Sequence, residues 1–402
     1  DLFIDERKIP GQSLVGKLLV ADFNNDNTLD LFLADNGIGT HKGFRDTYFL
    51  SHSDGTWKES SRTHLSHSNY VNFDHGGAVG DIDGDGDVDL VLTELRNMLT
   101  CWVNDGTGKM KKRRCGTVNA FGIELGDVDN DGDLDLYVLN NEQNETIPTN
   151  YRKKIIDGSA PSNDKFYRNN GDGSFSDITI EAGIIFEGFG LSVTPVDINK
   201  DQWVDLYITN DYLTNDLLYI NQKDGTFKNE IQNYLSHQSK FSMGSDASDF
   251  NNDGYTDLIS LDMLGESHER RKTTISKSFF FQNVLNKKWG YQDQHMRNML
   301  FKNNGSNLPF SEIGQFSGIY QTDWSWSPLF ADFDNDGNRD LFITNGFPRD
   351  ITDMDFANYR LNFGAYTPLK TLLDSIPIVK IPNYAYRNKG DLTFEDVSMT
   401  WG

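Results

Sequence analysis

A carboxylate-rich loop that opens onto an apolar strand occurs six times in these 402 residues. The copies average 62 residues apart, and each is followed by a hairpin-like pair of short strands. Together these observations predict an all-β chain: a β-propeller of four-stranded antiparallel blades, with six countable modules and hence six or seven blades. A four-stranded antiparallel sheet cannot bury both faces by itself, whereas repeated sheets stacked face to face can. A β-helix built from Gly/Asp repeats is the competing architecture, but its period is about nine residues.

The clearest copy is Asp127-Val-Asp129-Asn-Asp131-Gly132-Asp133-Leu-Asp135, which runs into Leu136, Tyr137 and Val138. Carboxylates fall at positions 1, 3, 5 and 9, and glycine at position 6. Alternate residues of a tight loop turn their side chains inward together, and the glycine supplies a positive φ. Position 7 offers a carbonyl, and the ninth residue closes the cage. An all-oxygen set of this kind suits a hard cation such as Ca²⁺, which takes six to eight oxygens. The first half is like an EF-hand loop, but a strand follows instead of a helix and no glutamate stands at position 12.

The other five copies are Asp22-Phe-Asn24-Asn-Asp26-Asn27-Thr28-Leu-Asp30, Asp81-Ile-Asp83-Gly-Asp85-Gly86-Asp87-Val-Asp89, Asp197-Ile-Asn199-Lys-Asp201-Gln202-Trp203-Val-Asp205, Asp249-Phe-Asn251-Asn-Asp253-Gly254-Tyr255-Thr-Asp257 and Asp332-Phe-Asp334-Asn-Asp336-Gly337-Asn338-Arg-Asp340. The expectation is up to six Ca²⁺ per chain. Asn24, Asn199 and Asn251 each replace a carboxylate, and Gln202 replaces the loop glycine. The second, third and sixth loops are therefore expected to bind most tightly and the fourth most weakly. Plain Asp/Gly turns are the alternative reading of any single copy.

Composition fits this picture. The formal net charge is −23, and 21 of the 60 acidic residues stand at loop positions 1, 3, 5 and 9. Six Ca²⁺ would halve the excess, to −11. Such acidity argues against a nucleic-acid partner, since phosphate binding needs Lys and Arg. No apolar run approaches the ~20 residues of a membrane span, so membrane insertion is not expected. The chain opens at Asp1 and reads as a mature or trimmed segment of a longer protein, in an extracellular or cell-surface setting where Ca²⁺ is abundant. Cys101 and Cys115 bracket one hairpin, as a disulfide or as two buried thiols.

In order, residues 2–5 read as an outer strand preceding the first module. Leu18 to Ala21, the first loop, Leu29 to Ala34, Thr47 to Ser51 and a strand around Trp57 then make one module. The closing hairpin recurs at Cys101 to Lys111, Phe166 to Asp177, Leu218 to Lys228, Leu300 to Glu312 and Tyr386 to Glu395. The modules run roughly over 14–60, 74–115, 119–179, 188–231, 241–313 and 324–398, as one domain. Trp401-Gly402 is like the Phe121-Gly122 and Phe189-Gly190 pairs that precede other loops.

The six loops, the Phe-Gly pairs and hairpins such as Tyr167-Arg-Asn-Asn-Gly171-Asp-Gly-Ser-Phe175 resemble the FG-GAP/VCBS repeat family, whose propellers are like the integrin α-subunit head. From about residue 141 onward the chain also resembles surface proteins of the ASPIC/UnbV type, related to cartilage acidic protein. The carrying segments are Ser260-Leu-Asp-Met-Leu264, Glu269-Arg-Arg-Lys272, Met296-Arg-Asn-Met-Leu300, Thr322-Asp-Trp-Ser-Trp326 and Asn345-Gly-Phe-Pro-Arg-Asp-Ile-Thr-Asp353. The resemblance implies calcium-dependent folding, an extracytoplasmic location and a role in adhesion or recognition.

Two insertions interrupt the modules. Residues 262–298 carry His268, Arg270, Arg271 and Lys272, with a short amphipathic helix expected over Ile275 to Trp289. Residues 346–383 carry Arg349, Asp350, Asp353 and Asp355, with a helix expected over Leu369 to Ile376. Long loops on rigid scaffolds often hold binding sites. Arg271, Lys272, Trp324, Trp326 and Arg349 are accordingly the candidate contacts for a sugar or peptide; the plainer reading is that the insertions cap a face and the tryptophans pack. Residues 141–164 read as a surface loop.

Catalytic motifs are missing: there is no Gly-x-Ser-x-Gly elbow, no His-Glu-x-x-His and no phosphate loop. His64-Leu-Ser-His67 lacks companion ligands. The basic run Lys109 to Arg114 falls on an expected outer strand, where charge deters edge pairing. Asn144-Glu-Thr146 and Asn304-Gly-Ser306 fit the glycosylation pattern. The leading expectation is a non-catalytic calcium-binding module for adhesion, recognition or scaffolding, with a protein or glycan ligand and assembly with other surface proteins. The alternatives are a lyase-like polysaccharide-processing enzyme on a calcium propeller, and a purely structural module of a surface assembly or fibre.

Overall fold

The computed structural model describes residues 15–35, 47–52, 54–65, 76–94, 98–116, 120–142, 152–274, 280–305, 308–346 and 349–401. The expected strand over residues 2–5, His67, the Asn144 sequon, Ser306, the start of the helix expected from Ile275, and Gly402 lie outside them.

The fold is a β-propeller of six four-stranded antiparallel blades among the described residues. In each blade the strands pair in chain order as a meander. Blade 1 is Val15–Ala21, Asp30–Asp35, Thr47–Ser51 and Trp57–Glu59. Blade 2 is Gly77–Gly80, Asp89–Glu94, Met98–Val103 and Lys111–Gly116. Blade 3 is Ala120–Gly126, Asp135–Asn140, Lys165–Asn169 and Phe175–Asp177. Blade 4 is Gly190–Val196, Asp205–Asn210, Leu217–Asn221 and Phe227–Asn229. Blade 5 is Ser245–Ser248, Asp257–Ser260, Met299–Lys302 and Ser311–Glu312. Blade 6 is Ser325–Ala331, Asp340–Asn345, Tyr384–Asn388 and Phe394–Asp396.

The chain divides into two compact units. One holds Asp1–Glu142 with Asp157–Phe186 and Lys223–Thr226; the other holds Gln143–Ile156, Glu187–Gln222 and Phe227–Gly402. Within each unit the core lies between neighbouring sheets. Leu19, Phe32 and Tyr48 of blade 1 meet Leu90, Leu92 and Trp102 of blade 2. Ile259 and Leu300 of blade 5 meet Leu341, Ile343 and Tyr386 of blade 6. Second strands such as Asp135–Asn140 are buried at every residue, because each is covered on both faces. They therefore read as continuous apolar runs and not as alternating ones. First strands approach closely where glycine stands: a Cβ on Gly244 would lie 2.2 Å from the Trp326 carbonyl oxygen of the next blade.

Cys101 and Cys115 form a disulfide between the third and fourth strands of blade 2, their Cα atoms 5.7 Å apart. The basic run lies on that fourth strand, as expected. Lys112 Nζ sits 5.2 Å from the Trp102 ring centroid, and Arg113 donates to the Asp172 carbonyl at 3.4 Å.

Both insertions lie in the second unit, between second and third strands. The first contains the helices His268–Thr273 and Phe280–Lys288, the second Met354–Phe363 and Leu369–Asp374. The helices beginning at His268 and Met354 are additional to the two expected ones. Their signal was a cap: Ser267 accepts from Arg270 N, and Asp353 from Phe356 N, as N-cap side chains do.

At the ends of the blades opposite the acidic loops, a backbone N–H near the close of the second strand is held by a side chain preceding the third. Asn140 N donates to Asp164 at 2.8 Å and Asn210 N to Asp216 at 2.9 Å. In blades 5 and 6 the acceptors are Asn298 and Asn383. Burial pushes the Asp164 and Asp216 carboxyls up to about 7. A carboxyl whose folded pKa is raised above its unfolded value of about 3.9 contributes stability at low pH that is lost as pH rises through about 7. Asp164→Asn, which installs the residue used in blades 5 and 6, is expected to flatten this decline. Urea unfolding at about pH 8 should show a gain on the order of 1 kcal/mol that disappears at about pH 4.

Candidate metal centre

Each acidic loop joins the first strand of its blade to the second, and all six share one hydrogen-bonded form. The first aspartate accepts the N–H of position 6: Asp81 from Gly86 at 2.8 Å, Asp127 from Gly132 at 3.1 Å, Asp332 from Gly337 at 3.0 Å. The fifth accepts the N–H of position 7, as Asp85 does from Asp87 at 3.0 Å. Two residues adopt positive φ, not one. Position 6 is Asn27, Gly86, Gly132, Gln202, Gly254 and Gly337; position 4 is Asn25, Gly84, Asn130, Lys200, Asn252 and Asn335. The recurrent Asn or Gly at position 4 was the overlooked sign, since these residues tolerate the left-handed region best. Gln202, at φ 71°, carries a Cβ penalty there of about 1 kcal/mol. Gln202→Gly is expected to stabilise the second unit by up to about that amount, read as a higher denaturation midpoint with unchanged slope.

Carboxylates converge in three loops. Oxygens of Asp81, Asp83 and Asp85, of Asp127, Asp129 and Asp131, and of Asp332, Asp334 and Asp336 lie within 4.8 Å of one another in each set. In the first and fifth loops the position-3 amide instead donates to position 5, Asn24 to Asp26 at 3.1 Å and Asn251 to Asp253 at 3.0 Å. In the fourth, Asn199 accepts from Asp201 N at 3.0 Å. Burial, then the neighbouring Asp85 and Asp131, raises the pKa of Asp83 and of Asp129. Position 7 places Thr28, Asp87, Asp133, Trp203, Tyr255 and Asn338 at the exit of each loop.

The ninth aspartates anchor loop to sheet. Asp30, Asp89, Asp135, Asp205, Asp257 and Asp340 are all buried. Asp89 Oδ2 accepts from Ile82 N at 3.0 Å and its Oδ1 from Asn104 N at 2.8 Å. Asp340 repeats this with Phe333 N and Asn388 N. Burial pushes the Asp89 carboxyl up to about 6 and those of Asp135, Asp205 and Asp257 up to about 7.

The asparagine that ends the third strand ties successive loops together. Asn388 Nδ2 donates to Phe250 O in the preceding loop at 2.7 Å and to Arg339 O in its own at 2.9 Å, while its Oδ1 accepts from Gly390 N. Asn104 bridges Phe23 O and Val88 O, Asn169 bridges Ile82 O and Leu134 O, and Asn303 bridges Ile198 O and Thr256 O. Blade 1 has Ser51 at this place. Asn388→Ala would leave two buried carbonyls without this donor, and a loss of about 2–4 kcal/mol is expected in urea unfolding.

Three loops also hold a resident cation from the residue before that asparagine or its equivalent. Arg168 lies 3.4 Å from Asp129, Lys302 2.9 Å from Asp253 and Arg387 2.9 Å from Asp334.

The donor set fits a hard divalent cation. It is all oxygen, and Asp83 Oδ1, Asp127 Oδ1 and Asp129 Oδ1 are buried yet accept no hydrogen bond. An ion coordinated by positions 1, 3 and 5 would supply the missing positive charge where three carboxylates meet.

The residues expected to contact a ligand are engaged as follows. Arg349 donates to the Ile376 carbonyl at 3.2 Å, inside its own insertion. Trp326 Nε1 donates to Gly346 O at 2.9 Å, and Arg271 donates to Gln321 Oε1 at 3.1 Å. Trp324 follows Asp323, whose carboxylate accepts the Trp324 N–H at 2.9 Å. Lys272 is exposed on the helix His268–Thr273. The neighbouring Arg270, named in the first insertion but not among the expected ligand contacts, joins the two insertions: its guanidinium grips both oxygens of Asp323 at 2.8 and 3.2 Å and also pairs with Asp350.

Meandering blades with a carboxylate loop between their first and second strands define a class, the acidic-loop repeat propellers. A family model for FG-GAP-like repeats matches residues 22–92, 81–138, 197–260 and 289–343, more than half of the chain, and the chain belongs to that family. No curated protein matches it.

Proposed function

We propose that this chain is a non-catalytic, calcium-binding propeller that works outside the cytoplasm as an adhesion, recognition or scaffold module. The observation that carries this reading is the convergence of three carboxylate triplets, two of them with buried oxygens that accept no hydrogen bond. Asp81, Asp83 and Asp85, with their counterparts in the third and sixth loops, would hold the ions. Bound Ca²⁺ supplies charge neutralisation, and the chain's own N–H groups keep the ligands aimed inward. The disulfide supports an oxidising compartment. The module presents its loops to a protein or glycan partner. No helix among the described residues is long and apolar enough to cross a membrane.

Metal stoichiometry by native mass spectrometry tests this reading. At least three Ca²⁺ per chain are expected. Asp83→Asn, Asp129→Asn and Asp334→Asn should each remove one, since each converts a triplet into the Asn-containing form that other loops already have. An ion count that ignores these substitutions would sink the proposal.

A further inference from the structure

The two insertions of the second unit carry what the rest of the chain lacks. Residues 262–298 and 346–383 hold eleven Lys and Arg against eight Asp and Glu, a formal +3, while the remainder carries −26. Of the 24 large apolar side chains exposed among the described residues, eleven lie in these two segments. In the helix Phe280–Lys288, Phe280 and Phe281 are 76% and 78% exposed, with Val284 and Leu285 one turn on along the same face. Lys287, which pairs with Asp293 at 2.9 Å, and Lys288 close that helix. In the other insertion Leu361 is 83% and Tyr366 89% exposed.

These exposures discriminate between kinds of partner. A side chain more than three-quarters open stands on a convex surface, because groove walls would cover it. A rigid partner must offer a matching pocket to each such side chain, whereas a deformable lipid interface accepts them together. Charge is also segregated along the blades. The insertions follow the second strands, and the acidic loops precede them. The second strands that lead into the insertions, Asp257–Ser260 of blade 5 and Asp340–Asn345 of blade 6, hold the two ends about 13 and about 20 Å apart. Both distances exceed the screening length of about 8 Å at physiological ionic strength. An anionic surface at the insertion end is thus attracted by the lysines and shielded from the aspartates.

We propose that the insertion end of the second unit docks peripherally on a lipid surface bearing anionic headgroups. Phe280, Phe281, Leu361 and Tyr366 enter the boundary between headgroups and acyl chains, and Lys287 and Lys288 lie at the headgroups. This is a surface contact, distinct from a membrane span.

Co-sedimentation of the intact, Ca²⁺-loaded chain with phosphatidylserine/phosphatidylcholine vesicles and with pure phosphatidylcholine vesicles tests it. Binding is expected on the anionic vesicles, weaker on the neutral ones, and reduced by salt. Phe280→Ser with Phe281→Ser should weaken it at least about tenfold, and Lys287→Glu with Lys288→Glu should do so on anionic vesicles only. Leu361→Ser with Tyr366→Ser, on a separate segment, repeats the test if the first pair disturbs folding. Binding without anionic preference, or unchanged in all variants as when Ca²⁺ bridges the acidic loops to lipid, overturns the proposal. So does a dimer in light scattering that Phe280→Ser with Phe281→Ser dissolves, which would assign the face to a second copy of the chain.

Discussion

Ca²⁺ at a hundred times its Kd is expected to stabilise the chain by about 8 kcal/mol, and excess chelator to remove all of it. Each saturated site adds about 2.7 kcal/mol at that ratio, and three loops bring a full triplet together. Two of those loops lie in the first unit and one in the second. Chelation should therefore lower the thermal transition of both units, and that of the first more. The effect is pH-dependent. The ligands must be ionised, and burial with a neighbouring carboxylate raises the pKa of Asp83 and Asp129. Ca²⁺ protection should accordingly fade on acidification, and in loops 2 and 3 before any site whose carboxyls titrate at their ordinary value. Calorimetric scans with Ca²⁺ and with chelator check this. Coincident curves at neutral pH would mean that the loops are metal-free turns.

Arg270→Met is expected to release the insertions from one another. The guanidinium is largely buried, with 18% of the side chain exposed, and Asp323 and Asp350 are more buried still. Burial opposes ionisation of Asp350, but its bond to Arg270 outweighs this and holds the carboxyl below its usual range. Removing the cation leaves two buried carboxylates without their partner, which costs about 3–5 kcal/mol. The propeller blades do not depend on this contact, so the loss should show as local opening. Hydrogen exchange is expected to speed up in residues 262–274 and 349–353 while the second strands keep their protection. The depressed Asp350 pKa carries a pH signature as well. Its contribution is present above the unfolded value of about 3.9 and is lost as pH falls through the folded one. A wild-type chain held at low pH should thus open the same segments as the variant does at neutral pH.

Much of the fold was legible because its signals are local. A loop such as Asp127 to Asp135 states its own geometry, and the strand after it declares itself by length and apolar content. Six copies at one spacing then imply sheets that must cover one another. The second turn of the loop backbone, at Asn130 and its equivalents, was equally local and was passed over because glycine at position 6 explained the curl well enough. Other features were not local. Asn388 pairs with Phe250, 138 residues away, and nothing in Tyr386-Arg-Asn-Lys-Gly390 announces that partner. Arg270 sits in a run of three basic residues, and only the fold shows that its partners are Asp323 and Asp350. Helical patterns in the insertions were visible where apolar spacing carried them, as over Leu369 to Asp374. They were missed where a cap residue was the main cue.

The asparagine bridges have a thermodynamic consequence. Asn169 joins the second loop to the third, both with a full carboxylate triplet, and Asn388 joins the fifth to the sixth. Each amide grips the carbonyl of position 2 in one loop and of position 8 in the next, so a loop that tightens around an ion pulls on its neighbour's frame. Sites joined in this way are linked, and linkage is reciprocal: whatever factor one occupied loop lends to the affinity of the next is returned in full. If an ion in the second loop favours one in the third, occupancy of that pair would rise over a narrower span of Ca²⁺ concentration than independent sites allow.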